Sequence, residues 1–239
     1  MSQPSDSTST PEIRQAKAAA TVQCLEAAVR DYGTVTYSNS LGAESMVLTD
    51  LIWSQVPAIN IFTLDTGRLF EETYTLIDRL EGRFKRRIRI VHPEAADVEA
   101  YAREHGINGF FNGVDQRQAC CRIRKILPFK RAIAGFGAWV TGVRHEQSAQ
   151  RAGAQTVEFD AANGLHKISP LLDWTHEDIW GWIRDRKLPY SPLHDRGFPS
   201  IGCAPCTRAV QPGEDSRAGR WWWEASANRE CGLHPKFKT

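Results

Sequence analysis

The chain has 239 residues, 30 of them Lys or Arg against 28 Asp or Glu, for a formal net charge of +2. That length suits one domain, able to bury a core without disulfide staples. The lack of any run of about 18 apolar residues excludes a membrane-spanning helix, and the polar opening Met1–Pro11 has neither the charged nor the apolar part of a secretory signal.

Residues 1–11 are too polar to pack and are expected to be disordered. From Glu12 to Asp31 apolar residues recur at helical spacing, and Gly33 supplies the stop. Thr34–Tyr37 reads as a short buried strand, Ser38–Ala43 as a loop and Glu44–Ser54 as a second helix. A strand over Ala58–Thr63 ends at Asp65-Thr66-Gly67. There follow a helix from Phe70 to Leu80, a strand over Ile88–Val91 and a helix from Glu94 to Glu104. A fourth strand, Ala138–Thr141, ends at Gly142-Val143-Arg144. Thr175, with Asp178 three residues on, approximates a capping box for a helix reaching about Lys187, so His176 and Glu177 serve a helix start. Pro189, Pro192 and Pro199 then break regular structure and lead to Cys203; after Gln211 little core material remains beyond Trp221–Trp223.

Strands alternating with helices imply βαβ units, hence an α/β fold with a mostly parallel sheet and helices on both faces. Such sheets bind ligands beyond the carboxyl ends of their strands. The loops after Tyr37, Thr63 and Thr141 are therefore the candidate site. The turn Ser38–Ser45 has neither GxxxxGK[ST] nor GxGxxG, yet it sets hydroxyls and Gly42 at a helix N-terminus, where backbone N–H groups take phosphate or sulfate. Packing alone explains such a turn equally well.

Arg83, Lys85, Arg86, Arg87 and Arg89 read as a solvated face. Arg208, Arg217, Arg220, Arg229, Lys236 and Lys238 load the far end and flank cysteines; a small anion accounts for them at least as well as nucleic acid does. The expected setting is a reducing cytoplasm, where a CxxC does metal or redox work more often than it forms a disulfide. Of the six cysteines, Cys24 lies in an Ala-rich helical stretch and reads as core. Cys203 and Cys206 form a CxxC, Cys120 and Cys121 are adjacent, and these four suit a metal centre. Neighbours on a helix point about 100° apart, so one tetrahedral zinc would take both only with a distorted backbone. A cubane cluster presents separate irons, which favours [4Fe–4S] over zinc. Lys125 lies four residues past Cys121, on the same face of a helix. It would screen a dianionic ligand from a cluster charge of about −2, where one unpaired unit charge at ~4 Å costs roughly 4 kcal/mol at an effective dielectric of 20. Cys231 stands alone with Arg229, His234 and Lys236 nearby, cationic neighbours that lower a thiol pKa; an incidental surface cysteine is the competing reading. His145 and His166 have no partners at metal-ligand spacing and read as structural.

From about Tyr37 to His234 the sequence resembles the assimilatory sulfonucleotide reductases, in particular the cluster-bearing adenosine 5′-phosphosulfate reductases. The motifs are Ser38-Asn-Ser-Leu-Gly-Ala-Glu44, Leu64-Asp-Thr-Gly-Arg-Leu69, Cys120-Cys-Arg-Ile-Arg-Lys125, Thr141-Gly-Val-Arg144 with Gln147-Ser148, Cys203-Ala-Pro-Cys206, Arg217-Ala-Gly-Arg-Trp-Trp-Trp223 and Glu230-Cys-Gly-Leu-His234. The resemblance implies a Rossmann-like, adenine nucleotide alpha hydrolase-like domain over residues 12–200. A segment over 201–239 would hold the CxxC and a mobile catalytic tail. It implies a [4Fe–4S] cluster on Cys120, Cys121, Cys203 and Cys206, with Cys231 as nucleophile. Lys125, Arg217, Arg220 and His234 would handle the phosphosulfate; Ser38, Ser40, Gly42, the Arg68-Leu69 segment, Gly142 and Arg144 would hold the rest of the substrate. The family commonly has Glu-Asp where this chain has Glu44-Ser45.

The implied reaction is attack of the Cys231 thiolate on the sulfonate sulfur, departure of AMP, and release of sulfite from the S-sulfocysteine by thioredoxin, glutaredoxin or glutathione. Three rivals stand beside it. A 3′-phosphoadenosine 5′-phosphosulfate reductase belongs to the branch that typically lacks the four cysteines. An ATP-dependent tRNA-thiolation enzyme would need an aspartate where Ser45 stands. A zinc-stapled binding module is the third. Neither nucleic acid nor membrane is an expected partner, and a homo-oligomer is left open.

Overall fold

The computed structural model describes residues 9–147, 151 and 153–224. Helix α1 (Pro11–Tyr32) starts where the Thr10 hydroxyl accepts from the Ile13 N–H at 3.3 Å, with Pro11 in the first turn, and Gly33 at φ 72° ends it. Strand β1 (Val35–Ser38), α2 (Ala43–Gln55), β2 (Asn60–Leu64), α3 (Glu71–Phe84), β3 (Arg89–Val91) and α4 (Ala95–His105) follow, close to their expected bounds. So do β4 (Ala138–Val140) and α7 (His176–Asp185), the latter with the full Thr175–Asp178 capping box.

Two features are additional. One is a helical run, α5 (Val114–Cys121), a π-helical turn (Arg122–Ile126) and α6 (Leu127–Ile133). Lys125 thus follows Cys121 through a π turn, not along the regular helix expected for it. Pro128 accounts for the widening, because it has no N–H to donate and its ring crowds the carbonyl four residues back, that of Arg124. The Leu127 N–H reaches Arg122 O instead. The other is a hairpin, β5 (Val157–Asp160) and β6 (Leu165–Ile168), turned at Asn163-Gly164, with Gly164 at φ 72°.

The sheet order is β3-β2-β1-β4-β6-β5, parallel throughout except that β5 runs against β6. Thr36 pairs with Asn60 on one side and Trp139 on the other, so β1, β2 and β4 end level. The chain moves outward from β1 to β3 and then returns to β4, so the strand order reverses between β1 and β4. Alternate residues serve opposite faces. Tyr37, Ile61 and Val140 pack under α1, α2, α3 and α7 with Leu25, Leu48, Leu51, Leu80 and Ile183; Phe62 and Trp139 meet Phe129 and Ile133 of α6. Each fully buried leucine contributes about 1.5–3 kcal/mol. A third cluster, outside the sheet, joins Tyr101, Phe110 and Trp221 to Cys120, Cys121, Cys203 and Cys206. Among the described residues no helix is long and apolar enough to cross a membrane.

Candidate functional site

At the carboxyl edge of the sheet the loop after β1 is held from within. The Asn39 side chain donates to Thr49 Oγ1 at 2.9 Å and accepts from the Leu41 N–H at 2.8 Å, while the Asn39 N–H meets Phe62 O. Ser45 Oγ, in the first turn of α2, takes the Ser40 N–H at 3.2 Å and lies 3.0 Å from Ser40 Oγ. The serine that departs from the family pattern therefore still fastens this loop. Gly42 caps α2 without a side-chain hydrogen bond, the Ser45 N–H of the first turn bonds Gly42 O at 3.0 Å, and Gly42, Ala43 and Glu44 line the cavity at this helix N-terminus.

The loop after β4 packs against the same turn. A Cβ on Gly142 would come within 3.1 Å of Glu44 Cβ, so only glycine fits without displacement. Arg144 is buried; it pairs with Glu44 at 2.9 Å and Glu146 at 2.8 Å and donates to Trp174 O. Gln147 adds a hydrogen bond to Glu44 at 3.0 Å. Arg144 thus organises the rim of the cavity through two carboxylates.

The loop after β2 ties this edge to the cysteines. Asp65 Oδ1 accepts from the Gly67 N–H and from Tyr74 OH, fixing the turn. Thr66 Oγ1 lies 3.3 Å from Cys203 Sγ, Thr66 O accepts from Arg124 at 2.6 Å, and Arg68 O accepts from the Ala204 N–H at 2.8 Å. All four expected ligands are buried and line one small cavity with Arg117, Arg124 and Lys125. Burial pushes the Cys206 thiol up to about 12, with the neighbouring thiols adding to it, and raises Cys120 against the pull of Arg124. At Cys203 burial is outweighed by Lys125 and Thr66, and the thiol lies below its ordinary value. Among the described residues no three His, Cys, Asp or Glu side chains converge on one point as the ligands of a single metal ion would, an arrangement that a cluster of separate irons does not require.

The other cavity, about 960 Å³, opens over the switch point between β1 and β4. Its walls include Ser38, Ser40, Gly42, Leu69, Lys125, Gly142, Arg144, Arg217 and Arg220, so these expected contacts come to one place, whereas the Arg68 side chain turns away, donating to Asn108 Oδ1 and Ile107 O and lining the cavity of the cysteines. Lys125, Cys203 and Trp221 line both cavities and form the wall between them. Arg220 is buried, 3.3 Å from Ser200 Oγ. Cys231 and His234 lie outside the described residues. His145 bonds Ala154 O and His166 stacks on Tyr32 at 4.3 Å, both structural as expected. Arg117 and Arg124, each four residues from a cysteine and hydrogen-bonded to it, had no role in the sequence reading, although that spacing marks them.

Residues 34–209 match the phosphoadenosine phosphosulfate reductase domain. The chain belongs to this reductase family. An adenosine 5′-phosphosulfate reductase of Allochromatium vinosum is 51% identical over 232 residues, covering 97% of this chain and 90% of that protein. One of Neisseria meningitidis is 47% identical over 213 residues, covering 89% and 87%. Among solved structures, a phosphoadenylyl-sulfate (PAPS) reductase from Candida auris in a phosphate complex superposes with a TM-score of 0.69 at 23% identity, over 85% of this chain and 98% of that one. Yeast FAD synthetase, with FAD bound, gives 0.60 at 16% identity, over 86% and 70%. At these identities the likeness is one of fold alone, the expected mostly parallel sheet with its helices.

Proposed function

We propose that this reductase converts adenosine 5′-phosphosulfate to sulfite and AMP in cytoplasmic sulfate assimilation, with Cys231 as nucleophile and thioredoxin or a similar thiol as reductant. One observation carries the reading: the nucleotide-sized cavity at the switch point shares Lys125 and Cys203 with the cavity of the four cysteines. The adenosine and its phosphate rest against the Ser38 loop, Leu69 and Gly142, with the positive end of α2's dipole beside the anion. Lys125, Arg217, Arg220 and His234 neutralise the phosphosulfate.

The Cys231 thiolate attacks the sulfonate sulfur. The bond from that sulfur to the bridging oxygen breaks, and AMP leaves with the electron pair. A thiolate of the reductant then attacks the Cys231 sulfur and expels sulfite; its second thiol closes a disulfide and regenerates Cys231. Two electrons from the dithiol reduce the sulfonate. Because Cys231 meets first the substrate and then a whole protein, the segment that bears it has to serve two positions.

The four buried thiols fit an iron–sulfur centre. Two come from adjacent residues and two from a CxxC, and arginine and lysine side chains surround them, a match to thiolates and to a cluster charge of about −2. A [4Fe–4S] centre on Cys120, Cys121, Cys203 and Cys206 would fix the CxxC turn against α5 and supply negative charge beside the substrate, with Lys125 between.

The test is kcat/KM with thioredoxin for adenosine 5′-phosphosulfate against its 3′-phosphorylated analogue. The first should be clearly preferred; equal values overturn the assignment.

A further inference from the structure

Cys203, Cys120 and Cys121 each have a side-chain hydrogen-bond partner that is itself held in place. Thr66 Oγ1, 3.3 Å from Cys203 Sγ, also accepts from the Arg68 N–H at 3.3 Å. Arg124 bonds Cys120 and donates to Thr66 O at 2.6 Å. Arg117 stands on α5 one turn before Cys121 and bonds it. Its anchor is ionic. The Glu224 carboxylate accepts two parallel hydrogen bonds from the Arg117 Nε and Nη2, both 2.9 Å, and the two side chains are only 1% and 4% exposed. The guanidinium carbon lies 4.7 Å from the centroid of the Trp221 ring. Trp221 is fully buried, lines the cavity of the cysteines and donates its backbone N–H to Cys206 O at 3.1 Å.

Burying two charges carries a desolvation cost, and a well-packed apolar pair of similar volume often holds a fold as well. What a two-pronged Arg–carboxylate pair adds is direction for the N–H groups that remain. An iron-bound thiolate can only accept hydrogen bonds, and such outer donors orient the ligands of a metal site and tune it. We propose that the Arg117–Glu224 pair is a positioning device for the metal centre, in which Glu224 aims the Arg117 guanidinium to donate an N–H···S hydrogen bond to the Cys121 thiolate. This rests on the [4Fe–4S] centre proposed for the four cysteines. Glu224 cancels the charge of Arg117, so the pair leaves the net charge beside the substrate to Lys125. It acts on one ligand sulfur, drawing electron density from it and fixing its place on α5.

The experiment uses the full chain, purified anaerobically as wild type, as the double variant Arg117→Met with Glu224→Leu, and as Arg117→Lys. The double variant keeps bulk and net charge but removes the donor. The lysine keeps an ion pair with Glu224 but loses the planar fork that serves carboxylate and sulfur together. Melting temperature, iron and labile sulfide per chain, the rate of iron transfer to a chelator and the Fe–S stretching bands in resonance Raman spectra are measured on all three. Both variants should fold and load iron as the wild type does, release it about tenfold faster or more, and show a displaced Fe–S(Cys) band. A smaller acceleration in either folded variant overturns the proposal, because an apolar pair or a bare charge would then serve the sulfur as well. If the double variant does not fold, Arg117→Lys decides by the same criterion; loss of fold in both overturns the proposal, since the pair would then hold the fold and not the ligand. Wild-type protein without iron and labile sulfide refutes the cluster itself, a result separable from the others.

Discussion

Replacing Gly142 by alanine would probe the nucleotide cavity through a single methyl group. The added Cβ would stand 3.1 Å from Glu44 Cβ and 3.6 Å from Leu48 Cδ1. Carbon atoms rest at about 3.5–4.0 Å, so the first turn of α2 would have to retreat by about half an ångström. Glu44 cannot swing away cheaply, because its carboxylate is held by Arg144 at 2.9 Å and Gln147 at 3.0 Å. Overpacking of this kind costs about 1–3 kcal/mol. The displaced groups line the cavity proposed to take the nucleotide, so about 1.4 kcal/mol of that should appear as a tenfold loss of AMP affinity. Calorimetric titration of AMP into Gly142→Ala should find it, with KM raised more than kcat is lowered. Iron content should not change, since the cysteines lie across the Lys125 wall. AMP affinity within twofold of wild type would refute the packing argument.

Lys125→Ala should leave a coloured, iron-loaded protein whose kcat/KM falls about 100-fold, the loss of one partly buried charge between two anions; unchanged kcat/KM would remove Lys125 from the site. Cys203→Ser should purify without iron or labile sulfide, and stoichiometric zinc in the anaerobic wild-type protein would contradict the cluster. At Asp178 burial raises the carboxyl pKa, but hydrogen bonds from Lys17 and the Thr175 N–H outweigh it and hold the value at about 2, against an ordinary 3.8. A depressed pKa means stability present above about pH 4 and lost as pH falls through about 2, here about 2 kcal/mol. Urea unfolding of Asp178→Asn should show that deficit at pH 7 and a shrinking one below pH 4; a deficit independent of pH would contradict the linkage.

The strands and helices that carry the cavity were legible because each is short, strongly periodic and closed by its own punctuation, as with Gly33 and the Thr175–Asp178 box. The hairpin of Val157–Ile168 was open to the same reading, with alternating residues about Asn163-Gly164, but its exposed Val157 and Phe159 weaken the pattern. Of the run from Val114 to Ile133 only the helical stretch from Cys120 to Lys125 was legible, not its length or its π turn. At 100° per residue its buried positions, from Arg117 to Ile133, spread over about 220°, too wide for one face. The extra residue of the π turn rotates the later half back and narrows the stripe to about 140°, so one continuous rod faces the thiols first and the sheet afterwards. No local signal reports Glu44 with Arg144, or Arg117 with Glu224, pairs separated by 100 and 107 positions. Their partners are chosen by the fold.

The most direct test is to mix the enzyme with adenosine 5′-phosphosulfate and no reductant, then digest it and weigh the peptides. The account predicts one sulfonate per chain, on Cys231, removed as sulfite by thioredoxin, and absent in a Cys231→Ser protein that keeps its iron and its AMP affinity. A sulfonate on another cysteine, or AMP released with no adduct at all, would contradict it.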